Sequence, residues 1–148
     1  MSNTQAPTAA LVIRRTYKAS RSRVFAAWTQ PELLRQWFAP PPGWTIPEAT
    51  IDARVGGTYR ITFRSPDGTV RIVGGVFREY REPERFSYTW AWDDRDRDAG
   101  EMLVSVDLRD HGDETELILT HENFADQTSY ARHEGGWQLS LTNLAAIL

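Results

Sequence analysis

The sequence predicts an α+β fold in which a curved antiparallel sheet of about six or seven strands wraps around one long C-terminal helix, with two short helices between strands 1 and 2. Three observations carry this. From Ser129 to Leu148 the residues Tyr130, His133, Trp137, Leu141, Leu144 and Leu148 recur at three- and four-residue steps, which places them on one stripe of an α-helix. From Trp44 to His121 the apolar residues instead alternate with period two and are punctuated by turn residues. A stripe and a one-sided sheet each need an apolar partner, and each is the other's nearest candidate.

In order, residues 11–18 read as the first strand, and Ser20 can cap a short helix carrying Val24, Phe25 and Trp28. Thr29-Gln-Pro-Glu32 is a capping-box pattern with proline in the first turn, so Thr29 is expected to start a second helix bearing Leu33, Leu34, Trp37 and Phe38. Pro40-Pro-Pro-Gly43 ends it. The following strands are expected at 45–55, 58–64, 69–80, 85–92, 101–109 and 114–121, with turns at Gly56-Gly57, Ser65-Pro-Asp-Gly68, Glu82-Pro-Glu84 and Asp110-His-Gly-Asp113. A charged loop fills 93–100, and the last helix covers 126–148. It stops at Leu148 on its own apolar stripe without a C-cap glycine, as expected either of a helix ending flush with the sheet or of a chain that continues.

Alternation sets the inward face. Tyr59, Ile61 and Phe63 share one phase, as do Val104, Val106 and Leu108, then Leu117, Leu119 and His121, then Phe86, Tyr88, Trp90 and Trp92. In 70–80 either Ile72, Gly74 and Val76 or Val73, Gly75 and Phe77 could face in; the second phase is preferred.

At 148 residues the chain is expected to form an N-terminal disordered arm, 1–10, and a single domain, 11–148. Lys+Arg 17 against Asp+Glu 20, a net charge of −3 and a pI near 5.6 supply no basic field for phosphate backbones, so nucleic acid is not an expected partner. No cysteine is present, which excludes thiolate chemistry and suits a reducing, cytoplasmic location. No run approaches the length that spans a bilayer, so no membrane partner is expected. A monomer or weak homodimer is anticipated.

The aromatic residues Trp37, Tyr59, Phe63, Tyr88, Trp90, Trp92 and Trp137 either line a cavity between sheet and helix or simply fill the core. With Ile61, Phe77, Val104, Val106, Leu119, His121, His133 and Leu141 they form the candidate ligand-binding set, suited to a flat, mostly apolar molecule with one or two polar groups. His121 and His133 are also catalytic candidates, with Glu79, as acid/base groups near neutral pH; alternatively each histidine is bonded to backbone and fixes the entry to the last helix. No nucleophile elbow, phosphate loop or metal-ligand spacing is present, and neither metal nor cofactor is expected. Asp94, Asp96 and Asp98 resemble the start of a calcium loop, but Gly100 comes one place late; a solvated loop is the better reading. Gly135-Gly136 inside the last helix implies either close approach to the sheet or a bend that opens a portal near Pro40-Pro-Pro-Gly43 and the 93–100 loop.

The segments YKASRSRVFAAWTQPELLRQWFAP, IDARVGGTYRITFRSPDG, REYREPERFSYTW, LILTHENF and HEGGWQLSLTNLAAIL, in this order, resemble the Hsp90 ATPase activator homologue (AHSA1-like) family of the START/Bet v 1-like helix-grip superfamily, from about residue 11 to residue 148. The resemblance implies a hydrophobic cavity under the long helix. It implies one of three activities: binding of a small hydrophobic ligand, an enzyme of the polyketide cyclase or hydrolase kind, or a module that docks on a chaperone. The activator's stimulating N-terminal module has no counterpart in this chain, so a full co-chaperone role is not implied.

Overall fold

The computed structural model describes residues 9–38, 42–93 and 101–148. The Asp94–Asp98 run falls wholly outside them, the expected arm at 1–10 and the 93–100 loop mainly so, and the Pro40-Pro-Pro-Gly43 segment by half. The elements are β1 (Leu11–Tyr17), α1 (Arg21–Thr29), α2 (Pro31–Leu34), β2 (Thr45–Ile51), β3 (Thr58–Arg64), β4 (Val70–Arg81), β5 (Arg85–Trp92), β6 (Met102–His111), β7 (Glu114–Glu122) and α3 (Gln127–Ile147). One sheet takes the order β1-β7-β6-β5-β4-β3-β2 with antiparallel pairs throughout. The α1–α2 corner carries the chain from one sheet edge to the other, and the meander returns to β1.

Local chemistry explains where boundaries move from the expected ones. The Ser20 hydroxyl accepts from the Arg23 N–H at 3.3 Å and starts α1 as anticipated. Thr29 does not cap α2: it is buried in the last turn of α1, where its hydroxyl donates to the Phe25 carbonyl at 2.9 Å. In an apolar layer a threonine takes the nearest carbonyl, one turn back. Gln30 caps α2 without a side-chain bond, and Pro31 fills the first turn. β2 stops at Ile51 instead of running to 55, because Arg54 turns back on Asp52 at 2.9–3.0 Å and the Asp52 N–H bonds to the Thr58 carbonyl. Pro47 lies on this edge strand at a register irregularity, where a missing N–H does least harm.

In β4 the Val73–Phe77 phase faces in, both residues being buried. The phase then slips. Phe77 pairs with Tyr88 but Glu79 pairs with Ser87, a bulge that turns Tyr80 inward against Phe25 and Phe77. Just before it, Gly75 lets β5 come close: a Cβ there would sit 2.0 Å from the Thr89 carbonyl oxygen, and the adjacent Val76 N–H bonds to the Thr89 hydroxyl at 2.9 Å.

α3 lies across the concave face. Trp137 is 4% exposed and Leu141 0%, so the helical stripe is the buried one. Polar pins fix its pose: the Tyr17 hydroxyl donates to the Leu141 carbonyl at 2.8 Å, and the Ser140 hydroxyl to the Phe38 carbonyl at 3.0 Å. On the other face, a Cβ on Gly135 would meet nothing within 4 Å among the described residues, so close approach of these does not explain that glycine. Among the described residues no helix is long and apolar enough to cross a membrane.

The two glycines should therefore respond oppositely. Gly135→Ala is expected to raise the unfolding free energy by about 0.5–1 kcal/mol, the helix-propensity gain. Gly75→Ala should lower it by about 1–3 kcal/mol through overpacking against Thr89. Urea titrations with unchanged m-values measure both, and a destabilising Gly135→Ala would mean that the helix face at 135 is covered.

Candidate functional site

The interior under the first turns of α3 is organised by two histidines and three tryptophans. Asp126 caps α3 by accepting from the Ser129 N–H at 2.8 Å, which sets the phase that turns Ser129, His133 and Trp137 inward. His133 Nδ1 lies 2.7 Å from the Ser129 carbonyl oxygen, which can only accept, so Nδ1 carries the proton. His133 Nε2 is then a bare acceptor, and it takes the indole N–H of Trp90 at 3.2 Å and that of Trp92 at 3.0 Å. The third indole, Trp137, donates to His121 Nδ1 at 2.9 Å, which leaves the His121 proton on Nε2. The two imidazoles, 4.8 Å apart, are neutral and of opposite tautomer. Phe124 stacks on His121 at 4.4 Å, carried there by the left-handed backbone of Asn123.

Burial decides the electrostatics. Loss of water, with His133 alongside, holds His121 well below the ordinary imidazole range. Burial likewise pushes the Tyr88 phenol up, and burial with Tyr88 beside it pushes up Tyr59, so both stay protonated. The Tyr59 hydroxyl donates to the Thr89 carbonyl at 2.6 Å. Among the described residues the Tyr88 hydroxyl and His121 Nε2 have no hydrogen-bond partner, and neither does the Trp28 indole nitrogen.

The structure brings nearly all of the sequence-derived set together. Tyr59, Ile61, Phe63, Phe77, Tyr88, Trp90, Val104, Val106, Leu119, Trp137 and Leu141 belong to one buried cluster, and Trp92 packs against it half-buried. Trp37 belongs to the same cluster through the helix corner, where its indole donates to the Ala27 carbonyl at 3.0 Å and its ring meets Trp28. Glu79 is not brought to the histidines. The β4 bulge leaves it on the outer face, where Arg85 binds it at 3.0 Å and holds its carboxyl below the usual range. Trp28 and Phe38, expected only as apolar faces of the two short helices, join the buried cluster, as does Phe124, and Ser129 is buried beside it; none of the four is in the sequence-derived set. Ser129 acts through its backbone carbonyl, for which a sequence carries no signal, whereas Phe124 beside Asn123 could have been found from the turn chemistry. Apart from this interior, an open groove of about 710 Å3 lies between α2, β2 and Asn143, lined by Glu32, Arg35 and Trp44 among others.

A neutral buried histidine imposes a pH dependence with a definite sign. Below about pH 6.5 the unfolded chain takes up a proton that folded His121 refuses, so stability should fall as pH falls, by about 1.4 kcal/mol per pH unit for this residue. Chemical denaturation between pH 6.5 and 5 should show the slope reduced by that amount in His121→Gln. Parallel slopes for the two proteins would mean that folded His121 charges freely.

Comparison with known proteins places this arrangement. Residues 18–148 match the family described as activator of Hsp90 ATPase homolog 1-like protein. The AHSA1 protein from Silicibacter pomeroyi is 30% identical, with a TM-score of 0.82 and coverage of 93% of this chain and 96% of that one. A protein from Chromobacterium violaceum is 28% identical, with a TM-score of 0.82 and coverage of 95% and 98%. An HSP90 activator from Plasmodium falciparum shares the fold at 23% identity, a TM-score of 0.73 and coverage of 93% and 94%. No curated protein matches the chain. With the helix gripped by a seven-stranded sheet and the family match over nearly its whole length, the chain belongs to the AHSA1-like family of the Bet v 1-like helix-grip fold.

Proposed function

We propose that the protein binds a small, largely hydrophobic or aromatic molecule between the concave face of the sheet and α3. The observation that carries this reading is the use of the two histidines. The lone pair of His121 Nδ1 is taken by Trp137, and that of His133 Nε2 by Trp90 and Trp92. Neither imidazole keeps a free lone pair with which to act as a general base. What they do is fix three indoles by their polar edges, so that a guest meets ring faces whose hydrogen-bonding needs are already met. Such a lining suits a flat apolar molecule. Half-buried Trp92, whose ring also lies under the Arg71 guanidinium at 4.9 Å, is the natural rim of the site.

A titration with N-phenyl-1-naphthylamine, a neutral fluorescent probe, tests the reading. Saturable binding at one probe per chain, with quenching of tryptophan emission and a raised Tm, is expected. Probe uptake without saturation, or without any effect on the tryptophans, would contradict it.

The family match favours a second reading, a contact with a chaperone of the Hsp90 class. Exposed large hydrophobics among the described residues are Val12, Val55, Val70 and Leu139, which lie on four different segments instead of in one element's face. Co-sedimentation with Hsp90 would separate the two readings, because docking should survive a saturating probe.

A further inference from the structure

Two buried donors without acceptors share one line across the concave face. In the sheet register Phe77 pairs with Tyr88, Tyr88 with Val104, Val104 with His121 and His121 with Leu11. Tyr88 and His121 thus flank a single valine, with backbones on the order of 10 Å apart at the usual strand spacing. Tyr88 is 3% exposed and His121 0%, yet among the described residues the Tyr88 hydroxyl and His121 Nε2–H have no partner. The Trp90 ring neighbours both side chains, near-parallel to Tyr88 with centroids 6.3 Å apart and edge-on to His121 with centroids 5.6 Å apart. Buried donors are almost always satisfied, so two on one row, each beside the same indole, point to a missing acceptor.

Resting on the ligand-binding reading above, we propose that the Tyr88 hydroxyl and His121 Nε2–H together form the polar end of the site, and that the ligand is an apolar, ring-bearing molecule carrying a neutral carbonyl oxygen. The acceptor is neutral because the donors are. The phenol is held protonated and the imidazole uncharged. An ionised carboxylate placed between two neutral donors away from water would lose far more hydration than two hydrogen bonds return. A carbonyl has two lone pairs on one oxygen, so it can receive both donors at once. The Trp28 indole is left out because it belongs to α1 and shares no row with these two.

The test uses three naphthalenes of similar size: 2-acetylnaphthalene, its carbon isostere 2-isopropenylnaphthalene, and 2-naphthoate. Their affinities are measured by tryptophan quenching for the wild-type protein and for Tyr88→Phe. This substitution removes only a hydroxyl that has no partner, so the unliganded variant should be at least as stable as the wild type. The ratio of ketone to alkene affinity is expected to fall about tenfold in Tyr88→Phe, while the alkene affinity stays constant. If both naphthalenes bind but the ratio is the same in the two proteins, the polar end is elsewhere and the ligand-binding reading survives. Tighter binding of 2-naphthoate than of the ketone at pH 7 overturns the neutral acceptor. If none of the three binds, the ligand-binding reading itself fails and takes this inference with it.

Discussion

Three tryptophan N–H groups are buried under α3, and each needs an acceptor that the surrounding hydrocarbon cannot supply. That constraint shapes the centre of the molecule. The acceptors are His121 and His133, one on the strand beside the helix and one on the helix itself. Because the Trp137–His121 bond joins α3 to β7 while the Trp90 and Trp92 bonds join β5 to α3, the helix can occupy only one rotation and one depth. An apolar stripe alone would hold the helix down but let it slide, since packing of similar side chains tolerates shifts that a buried hydrogen bond does not.

The sheet is built to meet those bonds. Gly75 allows β4 and β5 to pinch at Thr89, and the bulge after Phe77 rotates the end of β4 so that Tyr80 joins Phe25 and Phe86 beneath α1. The same bulge puts Glu79 outside with Arg85, which also binds Asp107 at 2.7 Å and so ties β4, β5 and β6 together on the convex side. Small polar residues of the central strands, Ser87, Thr89 and Ser105, are buried although alternation turns them outward; the Ser87 hydroxyl donates to Glu79 at 3.3 Å, and the Thr89 hydroxyl accepts from the Val76 N–H at 2.9 Å. The outcome is a one-sided aromatic bowl in which the lone pairs of the two histidines hold the indoles in line.

Much of this was legible in the residues. The periods of 2 and 3.6 separate sheet from helix without ambiguity, and the stripe ending in Trp137, Leu141 and Leu144 is the buried one. The inward sets on β3, β5, β6 and β7 also follow from alternation. The failures have a common cause. Thr29 and the end of β2 depend on the backbone carbonyls of Phe25 and Thr58, which have no letter of their own, and Glu79 depends on a slip of register against Ser87 that no side chain announces. His121 and His133 were recognisable as inward residues, but not as partners of three indoles, because the contacts between β5, β7 and α3 join residues 16 to 43 places apart.

The claim on which the rest stands is that the two imidazoles are neutral and carry their protons on opposite nitrogens. Long-range proton–nitrogen NMR correlation on the histidine side chains at pH 7 reads this directly. His133 should be protonated only at Nδ1, with Nε2 showing the shift of a hydrogen-bond acceptor, and His121 only at Nε2. A spectrum in which both carry the proton on Nε2, or in which either is an imidazolium, would mean that the tryptophan N–H groups are held by something else and that the bowl is not aligned as described.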